Sequence, residues 1–203
     1  MKKSQLSKSY LTSALLGLMV FQAQAANISL APTGSTAINI GEVVTFDMYA
    51  DAADVGGILA GGLDLFYDSG VISYNGDFAF DGGFPTDPGF SRLGDDCATT
   101  LVTGCGSSGE INGIAFGDFA GIANGLTLVG SLSFTGAAVG TSLLTMADNE
   151  YPAGSWYDTS GNLISMDYCC GSVSVSAVPV PAAVWLFGSG LLGLVGLSRR
   201  KIA

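Results

Sequence analysis

The stretch that decides the fold is residues 44–50, which read Val-Thr-Phe-Asp-Met-Tyr-Ala. Apolar and polar side chains alternate along it, so Val44, Phe46, Met48 and Ala50 fall on one face of an extended chain. A period of two is typical of a β-strand with one buried face and one solvated face. We therefore predict a strand whose apolar face contributes to a core.

Two later runs show the same alternation. In residues 126–135 we expect an inward set, which is Leu126, Leu128, Leu132 and Phe134. Near the end of the body, Val173, Val175 and Ala177 alternate with serines and predict a closing strand. Further strands are expected at residues 63–67, 111–119 and 141–147, and residues 158–162 are expected to form a hairpin loop.

These runs predict an all-β protein with little helical periodicity. About eight or nine strands with one solvated face each make an antiparallel β-sandwich or jelly roll. We assign residues 26–177 to this domain, with residues 78–109 as a long insertion that interrupts the strand rhythm.

Four short segments of the body resemble cohesin-type domains and their carbohydrate-binding-module relatives. Residues 38–46 read INIGEVVTF, residues 62–74 read GLDLFYDSGVISY, residues 125–134 read GLTLVGSLSF and residues 140–144 read GTSLL. The resemblance implies a β-sandwich that binds a protein partner or a polysaccharide without catalysis. No contact residue of those families has a counterpart that can be carried over to this chain.

The last 26 residues differ from the body in composition. Residues 182–198 are uncharged, and a helix rising about 1.5 Å per residue would span roughly 25 Å of a hydrocarbon core. Arg199, Arg200 and Lys201 follow at once and form a basic stop that stays cytoplasmic. We predict a C-terminal transmembrane helix; the alternative is a buried helix of the globular domain.

This tail also resembles a known sorting signal. Residues 178–194 read VPVPAAVWLFGSGLLGL and precede the basic cluster, as in the PEP-CTERM tails of Gram-negative bacteria. Val180-Pro181 stands where the usual motif has Glu-Pro. The resemblance implies recognition at Val178, Pro179, Val180 and Pro181 by an exosortase-type enzyme, and release or re-anchoring outside the cell. Producers of such proteins usually also make exopolysaccharide.

The N-terminus predicts export. Lys2, Lys3 and Lys8 precede an apolar run, and Ala23 and Ala25 supply the small residues of a signal-peptidase site. We expect residues 1–25 to be a helical signal peptide cut after Ala25, with Ala26 as the alternative position. An uncleaved anchor is the other interpretation.

Between these ends the charge is strongly negative. The body has one basic residue, Arg92, and all seventeen acids of the chain, which gives it a net charge of −16. Such a surface repels nucleic acid and anionic lipid. The chain has no histidine, which excludes Ser-His-Asp and Cys-His catalysis. A paired-carboxylate glycosidase stays open, but no spacing marks one pair of acids.

Four cysteines in an exported chain predict disulfide bonds. We expect a local bridge between Cys97 and Cys105, which would close the inserted loop. In the alternative, Cys97 and Cys105 each bond to one of Cys169 and Cys170, because those two adjacent cysteines would be strained if they bonded to each other.

Two candidate ligand sites remain. Oxygen-rich loops contain candidate calcium ligands, which would be Asp77, Asp81, Asp95, Asp96, Asp148 and Glu150; solvated turns are the favoured interpretation. Trp156 and Tyr157 are candidates for an aromatic sugar platform, but core packing is the favoured interpretation of such rings. No other cofactor is expected.

Together these features predict a non-catalytic surface or extracellular-matrix protein that binds polysaccharide or a protein. The expected partners also include signal peptidase, the sorting enzyme and the membrane, but no nucleic acid. A purely structural matrix protein without a discrete ligand is the alternative.

Overall fold

The structure, a computed structural model, describes residues 25–82, 84, 91–98, 105, 109–122, 125–149, 155–178 and 186–192. Thirteen β-strands, one short 3₁₀ helix, Ala53–Val55, and a helical segment at residues 186–192 occur in these residues. The strands are β1 Ala25–Pro32, β2 Ala37–Asn39, β3 Val43–Asp51, β4 Ile58–Phe66, β5 Ile72–Tyr74, β6 Ala79–Phe80, β7 Arg92–Asp96, β8 Glu110–Ile122, β9 Leu126–Gly136, β10 Gly140–Asp148, β11 Trp156–Asp158, β12 Leu163–Cys169 and β13 Gly171–Ser176. The all-β prediction is confirmed.

The strands form two layers that face one another across a single core. One layer has the order β12-β1-β3-β9, with β5 and β6 both paired to β9. The other has the order β2-β13-β10-β4-β8-β7, and β11 connects β4 to β12. A Cβ built on Gly171 of the second layer would lie 3.0 Å from the Phe46 ring of the first, so the layers are in contact there.

The sheet is mixed, so the prediction of a purely antiparallel sandwich is wrong. Strand β1 runs parallel to β12 and antiparallel to β3, and β13 runs parallel to β2. Alternation of apolar side chains identifies a strand but carries no information about its direction. Strand β1 also buries Ala26, which is fully inaccessible and pairs with Met166.

The inward face of β3 is the one that the sequence predicts. Val44, Phe46, Met48 and Ala50 are all buried, and the residues between them are partly exposed. The ring of Phe46 meets that of Phe134 on β9 edge to face, with centroids 6.4 Å apart. Burying large apolar side chains in this way is the main driving force for folding.

Strand β9 departs from its predicted pattern because of a β-bulge. Its pairing with β3 shifts between Met48 and Tyr49, so that Val129 is an extra residue in the ladder. A one-residue shift moves the following side chains to the opposite face. Val129 is therefore fully buried and Leu126 is 68% exposed, which contradicts the inward placement of Leu126 and Leu128.

Other local predictions have mixed outcomes. Val173 and Val175 are buried in β13 as expected, but Ala177 lies beyond the strand and is exposed. Residues 158–162 do connect β11 to antiparallel β12, and the Asp158 carboxylate accepts hydrogen bonds from the backbone N–H groups of Ser160 and Asn162. Hydrogen bonds from Asn162 lower the pKa of Asp158.

The region predicted as a long insertion, residues 78–109, contains two strands. Strand β6 pairs with β9, and β7 pairs with β8 as the edge of its layer. Both are short, and β7 includes Gly94 and two acids, so neither has an apolar alternation that sequence reasoning could detect.

The β-bulge at Val129 leads to a prediction about the free energy of unfolding. Val129→Ala removes two fully buried methyl groups and should lower the free energy of unfolding by about 2 kcal/mol. The matched variant Leu126→Ala should change it by less than about 0.5 kcal/mol, because that side chain is largely solvated. Urea unfolding of both variants measures this, and a larger loss for Leu126→Ala would refute the described register.

Candidate functional site

The outer surface of β10 is the starting point for a candidate binding face. Along this strand Ser142 and Leu144 are fully buried, so the alternating residues point away from the core. Those residues are Thr141, Leu143, Thr145 and Ala147, and all four are exposed. The sequence predicts the strand, but the arrangement of its neighbours is needed to show the surface.

Neighbouring strands extend this surface on both sides. Across the pairing with β13, Thr141 lies opposite Ser174 and Leu143 opposite Ser172. The hydroxyl oxygens of Thr141 and Ser174 are 3.4 Å apart. Across the pairing with β4, Thr145 lies opposite the half-buried Phe66. We call these seven residues the uncharged face: Phe66, Thr141, Leu143, Thr145, Ala147, Ser172 and Ser174.

The uncharged face is unusual in a body with a net charge of −16. Leu143, near its centre, is 64% exposed and is flanked by small hydroxyl side chains. Asp64, which lies opposite Ala147, and Glu110, which lies opposite Phe66, are both buried. Asp64 is held by the backbone N–H of Gly113 at 2.7 Å and by the Asn149 amide. Cores of protein interfaces are likewise depleted in charge.

The outer face of the layer that contains β1, β3 and β12 is acidic. Asn27 of β1 pairs with Asp51 of β3 on one side and with Asp167 of β12 on the other. Asp47 lies on the same face of β3, four residues before Asp51. This outer face therefore carries the acids Asp47, Asp51 and Asp167, whereas none of the seven residues of the uncharged face is charged.

The predicted calcium ligands are dispersed and take part in hydrogen bonds within the protein. Asp77 accepts bonds from the backbone N–H and the hydroxyl of Ser133. Asp95 forms an ion pair with Arg92, and Asp96 accepts from the Ala98 backbone N–H at 3.0 Å. The backbone carbonyl of Asp81 accepts a hydrogen bond from the backbone N–H of Phe84. Glu150 lies outside the described residues.

The acids that the structure describes do not assemble a metal site. Across the residues that the structure describes, no three His, Cys, Asp or Glu side chains come together as metal ligands. The loops that carry these acids follow one another in sequence, but each loop contacts a different pair of strands.

The predicted sugar platform of Trp156 and Tyr157 is wrong. Adjacent residues of a strand point to opposite faces, and Trp156 points into the core, where it is 1% exposed. Its ring packs on Phe116 with centroids 4.9 Å apart. Only Tyr157 faces solvent, so the two rings do not form one surface.

Trp156 belongs instead to a polar chain at the core boundary. Its indole Nε1–H donates to the Tyr168 hydroxyl at 2.9 Å, and that hydroxyl donates to Asp148 at 2.5 Å. Burial, together with the hydrogen bond to Asp148, raises the pKa of Tyr168. Asp148, a predicted calcium ligand, therefore serves as a hydrogen-bond acceptor for this core element.

The local disulfide bond predicted from the sequence is present. Cys97 and Cys105 are bonded, with Cα atoms 5.5 Å apart. The bridge holds the end of β7, where Asp96 accepts a hydrogen bond of 3.3 Å from the Tyr67 hydroxyl. Cys169 and Cys170 are both free and exposed.

Several predictions for the termini fall outside the described residues. These are the signal segment through residue 24 including Ala23, the motif residues Pro179, Val180 and Pro181, and the basic stop Arg199, Arg200 and Lys201. Residues 186–192 are helical and exposed. Within the described part of the chain, no helix is both long enough and apolar enough to cross a membrane.

Comparison with solved structures identifies the fold. The seventh ScaB type I cohesin from Pseudobacteroides cellulosolvens matches with a TM-score of 0.56 and 15% identity, over 77% of this chain and 96% of that one. The body has a cohesin-like fold. A chain of the Coh-OlpC-Doc435 cohesin-dockerin complex from Clostridium thermocellum gives a TM-score of 0.55 and 16% identity, over 76% and 95%.

A third cohesin agrees with the first two. A type II cohesin domain from the cellulosome of Acetivibrio cellulolyticus matches with a TM-score of 0.53 and 15% identity, over 73% of this chain and 95% of that one. No protein-family model and no curated protein sequence matches the chain. At these sequence identities the structural similarity establishes the fold alone, which is the cohesin-like β-sandwich that the sequence motifs predict.

Sequence reasoning missed the uncharged face as a site. The available signal was the run from Thr141 to Ala147, where an apolar Leu143 occupies a position of the polar alternation. Its meaning depends on the neighbours Ser172 and Phe66, which are distant in sequence and meet Leu143 and Thr145 only through strand order.

The Tyr67–Asp96 contact predicts a specific pH dependence. Burial, then the nearby Asp96 carboxylate, raise the pKa of Tyr67 to about 12 from an ordinary value of 10.0. Because the folded pKa is the higher one, the stabilisation is complete below pH 10 and is lost between pH 10 and about 12.

Urea unfolding at pH 8, 10 and about 11.5 tests this linkage. Tyr67→Phe should lose stability less steeply above pH 10 than the unsubstituted protein. Tyr157→Phe, which changes an exposed tyrosine, is the matched control and should follow the unsubstituted protein. Parallel curves for all three would show that Tyr67 titrates normally.

Proposed function

We propose that this protein is an exported, non-catalytic binding protein whose cohesin-like body docks a protein partner on the uncharged face. The observation that supports this most directly is the exposed Leu143 among hydroxyl side chains, on a body that is otherwise strongly acidic. An exposed apolar side chain at the centre of a flat, charge-free sheet face suits desolvation by another protein.

The fold supports a protein as the ligand. One of the matching solved structures is a cohesin-dockerin complex, so this fold binds a protein partner in that case. In the present chain the expected partner has an apolar contact surface with hydroxyl or backbone groups at its rim. Polysaccharide, the other predicted ligand, is less well supported, because Trp156 is in the core and cannot stack on a sugar.

We further propose a route to the cell exterior. Signal peptidase would remove residues 1–25, and the tail, residues 178–203, would hold the body in the periplasm as an inner-membrane intermediate. Helix 182–198 would span the bilayer, with Arg199, Arg200 and Lys201 as the cytoplasmic stop. The described part of this helix supports the route, since Leu186, Phe187 and Leu192 are each more than 70% exposed.

The final location would be the cell surface or extracellular matrix. The resemblance of the tail to PEP-CTERM signals implies processing by an exosortase-type enzyme at Val178–Pro181 and a setting that contains exopolysaccharide, as in a biofilm. In that setting a body with a net charge of −16 stays soluble and adheres weakly to anionic surfaces.

The binding proposal is tested by placing a charge on the uncharged face. A photoreactive amino acid at position 145 of the full chain would crosslink the partner in producing cells, and the purified partner would then be titrated. Leu143→Asp should weaken its binding at least about tenfold, or by about 1.4 kcal/mol, because a carboxylate would be desolvated in the contact.

Leu163→Asp is the matched control. Leu163 is exposed to a similar extent, 67% against 64% for Leu143, but lies on β12, away from the uncharged face. It should leave the affinity unchanged. Equal losses in the two variants, or none in either, would place the binding surface elsewhere.

The export proposal has a separate test. Intact-mass spectrometry of the protein from membranes and from culture fluid should find a mature N-terminus at Ala26 in both fractions. The culture-fluid form should also lack the residues that follow the Val178–Pro181 motif. A full-length chain in the cytosol with both ends intact would overturn the proposed route.

A further inference from the structure

The free cysteines Cys169 and Cys170 have no use in the proposed function. Cys97 and Cys105 are bonded to each other, so the chain offers no other thiol as a partner. Both free cysteines are exposed. They occupy the point where the chain leaves one layer, at the end of β12, and enters the other at Gly171, with Cys170 as the single connecting residue.

The two thiols are poorly placed to bond to each other. Consecutive Cα atoms are 3.8 Å apart across a trans peptide, whereas disulfide-bonded residues usually have Cα atoms about 4.4–6.8 Å apart. Cys169 is the last residue of an extended strand, in which neighbouring side chains project to opposite sides. A bond within the pair would therefore require a change of backbone conformation.

The surroundings allow another molecule to approach. Tyr168 pairs with the buried Ile28, so Cys169 points to the outer face, where it pairs with Ser29. On the other side, Cys170 is followed by Gly171 and the exposed Ser172. Small side chains next to both thiols leave room for a second protein surface.

We propose that Cys169 and Cys170 join copies of this chain through intermolecular disulfide bonds. Because each copy has two exposed thiols that do not pair with each other, it can be linked to two others. The product is then a linear series of copies and not only a dimer. This inference rests on the proposed export, which places the thiols in an oxidising compartment.

The chemistry needs a disulfide oxidant such as glutathione disulfide. A cysteine thiolate attacks the oxidant, releases one glutathione thiolate and forms a mixed disulfide. The thiolate of a second copy then attacks the protein sulfur of that mixed disulfide, releasing the second glutathione. Two protein thiols are oxidised to one disulfide, one glutathione disulfide is reduced to two glutathione thiols, and the two protons lost by the protein thiols are taken up by the two glutathione thiolates.

A second copy is the expected partner for two reasons. Copies sorted to the same surface share a high local concentration, which favours links between like molecules. Their main obstacle is mutual repulsion, since each body carries a charge of −16, including Asp167 two residues from Cys169. Salt screens such repulsion over about 8 Å at 0.15 M, so crosslinking should be faster there than at low ionic strength.

The test uses the full chain purified in detergent, with glutathione disulfide as oxidant. Non-reducing electrophoresis should show a ladder from dimers upward, and reduction should return it to monomers. Cys169→Ser and Cys170→Ser should each stop at dimers, and the double variant should stay monomeric. All three variants keep the Cys97–Cys105 bridge, which peptide mapping verifies, so folding is matched.

Three results would overturn the proposal. They are monomers with only glutathione attached, monomers that have lost two hydrogen atoms through a Cys169–Cys170 bond, and a ladder that persists in the double variant. Since the assay uses purified protein, none of them bears on the export route. Conversely, a failed export test would not contradict the crosslinking of the purified chain.

Discussion

The packing of Phe46 against Phe134 and Gly171 is the contact on which the rest of the structure depends. Phe46 and Phe134 come from β3 and β9, the long antiparallel pair of one layer, while Gly171 opens β13 of the other. A side chain at position 171 would start 3.0 Å from the Phe46 ring, so glycine sets how closely the layers approach. Once this spacing is fixed, the alternating residues of each strand are assigned either to the core or to one of two outer surfaces.

The two outer surfaces then acquire different chemistry. Solvated positions of β1, β3 and β12 include Asn27, Asp47, Asp51 and Asp167, whereas those of β10 from Thr141 to Ala147 and those of β13 are hydroxyl or apolar residues. Asp64, which lies opposite Ala147, is buried and bonded to the Gly113 backbone. Repulsion among like charges thus acts on the outer face of β1, β3 and β12, while the uncharged face itself carries no charge that would oppose contact.

The sequence alone was sufficient to predict those features that depend on local alternation of side chains or on closure of a short loop. The inward face of β3, the buried valines of β13, the 158–162 loop and the Cys97–Cys105 bridge are of this kind. It failed where one residue changes the register, as at Val129, and where direction matters, as in the parallel pair β1–β12. For Trp156 the favoured interpretation, core packing, is confirmed, whereas the sugar platform is wrong because Trp156 and Tyr157 point to opposite faces of one strand. The uncharged face could not be predicted, since its members come from strands separated by up to about a hundred residues that only topology brings together.

The position of β1 links maturation of the protein to its folding. The proposed peptidase junction coincides with the first residues of this strand, where Ala25 pairs with Ser165 and Ala26 is wholly enclosed. A protease binds its substrate as a free, extended segment, which these residues cannot offer once they are paired with β12. On the proposed route, removal of the leader would therefore have to precede insertion of β1. Because the partner strand β12 lies near the end of the body and is made late, the emerging chain would have an interval in which the junction is accessible, and completion of the sheet would end it.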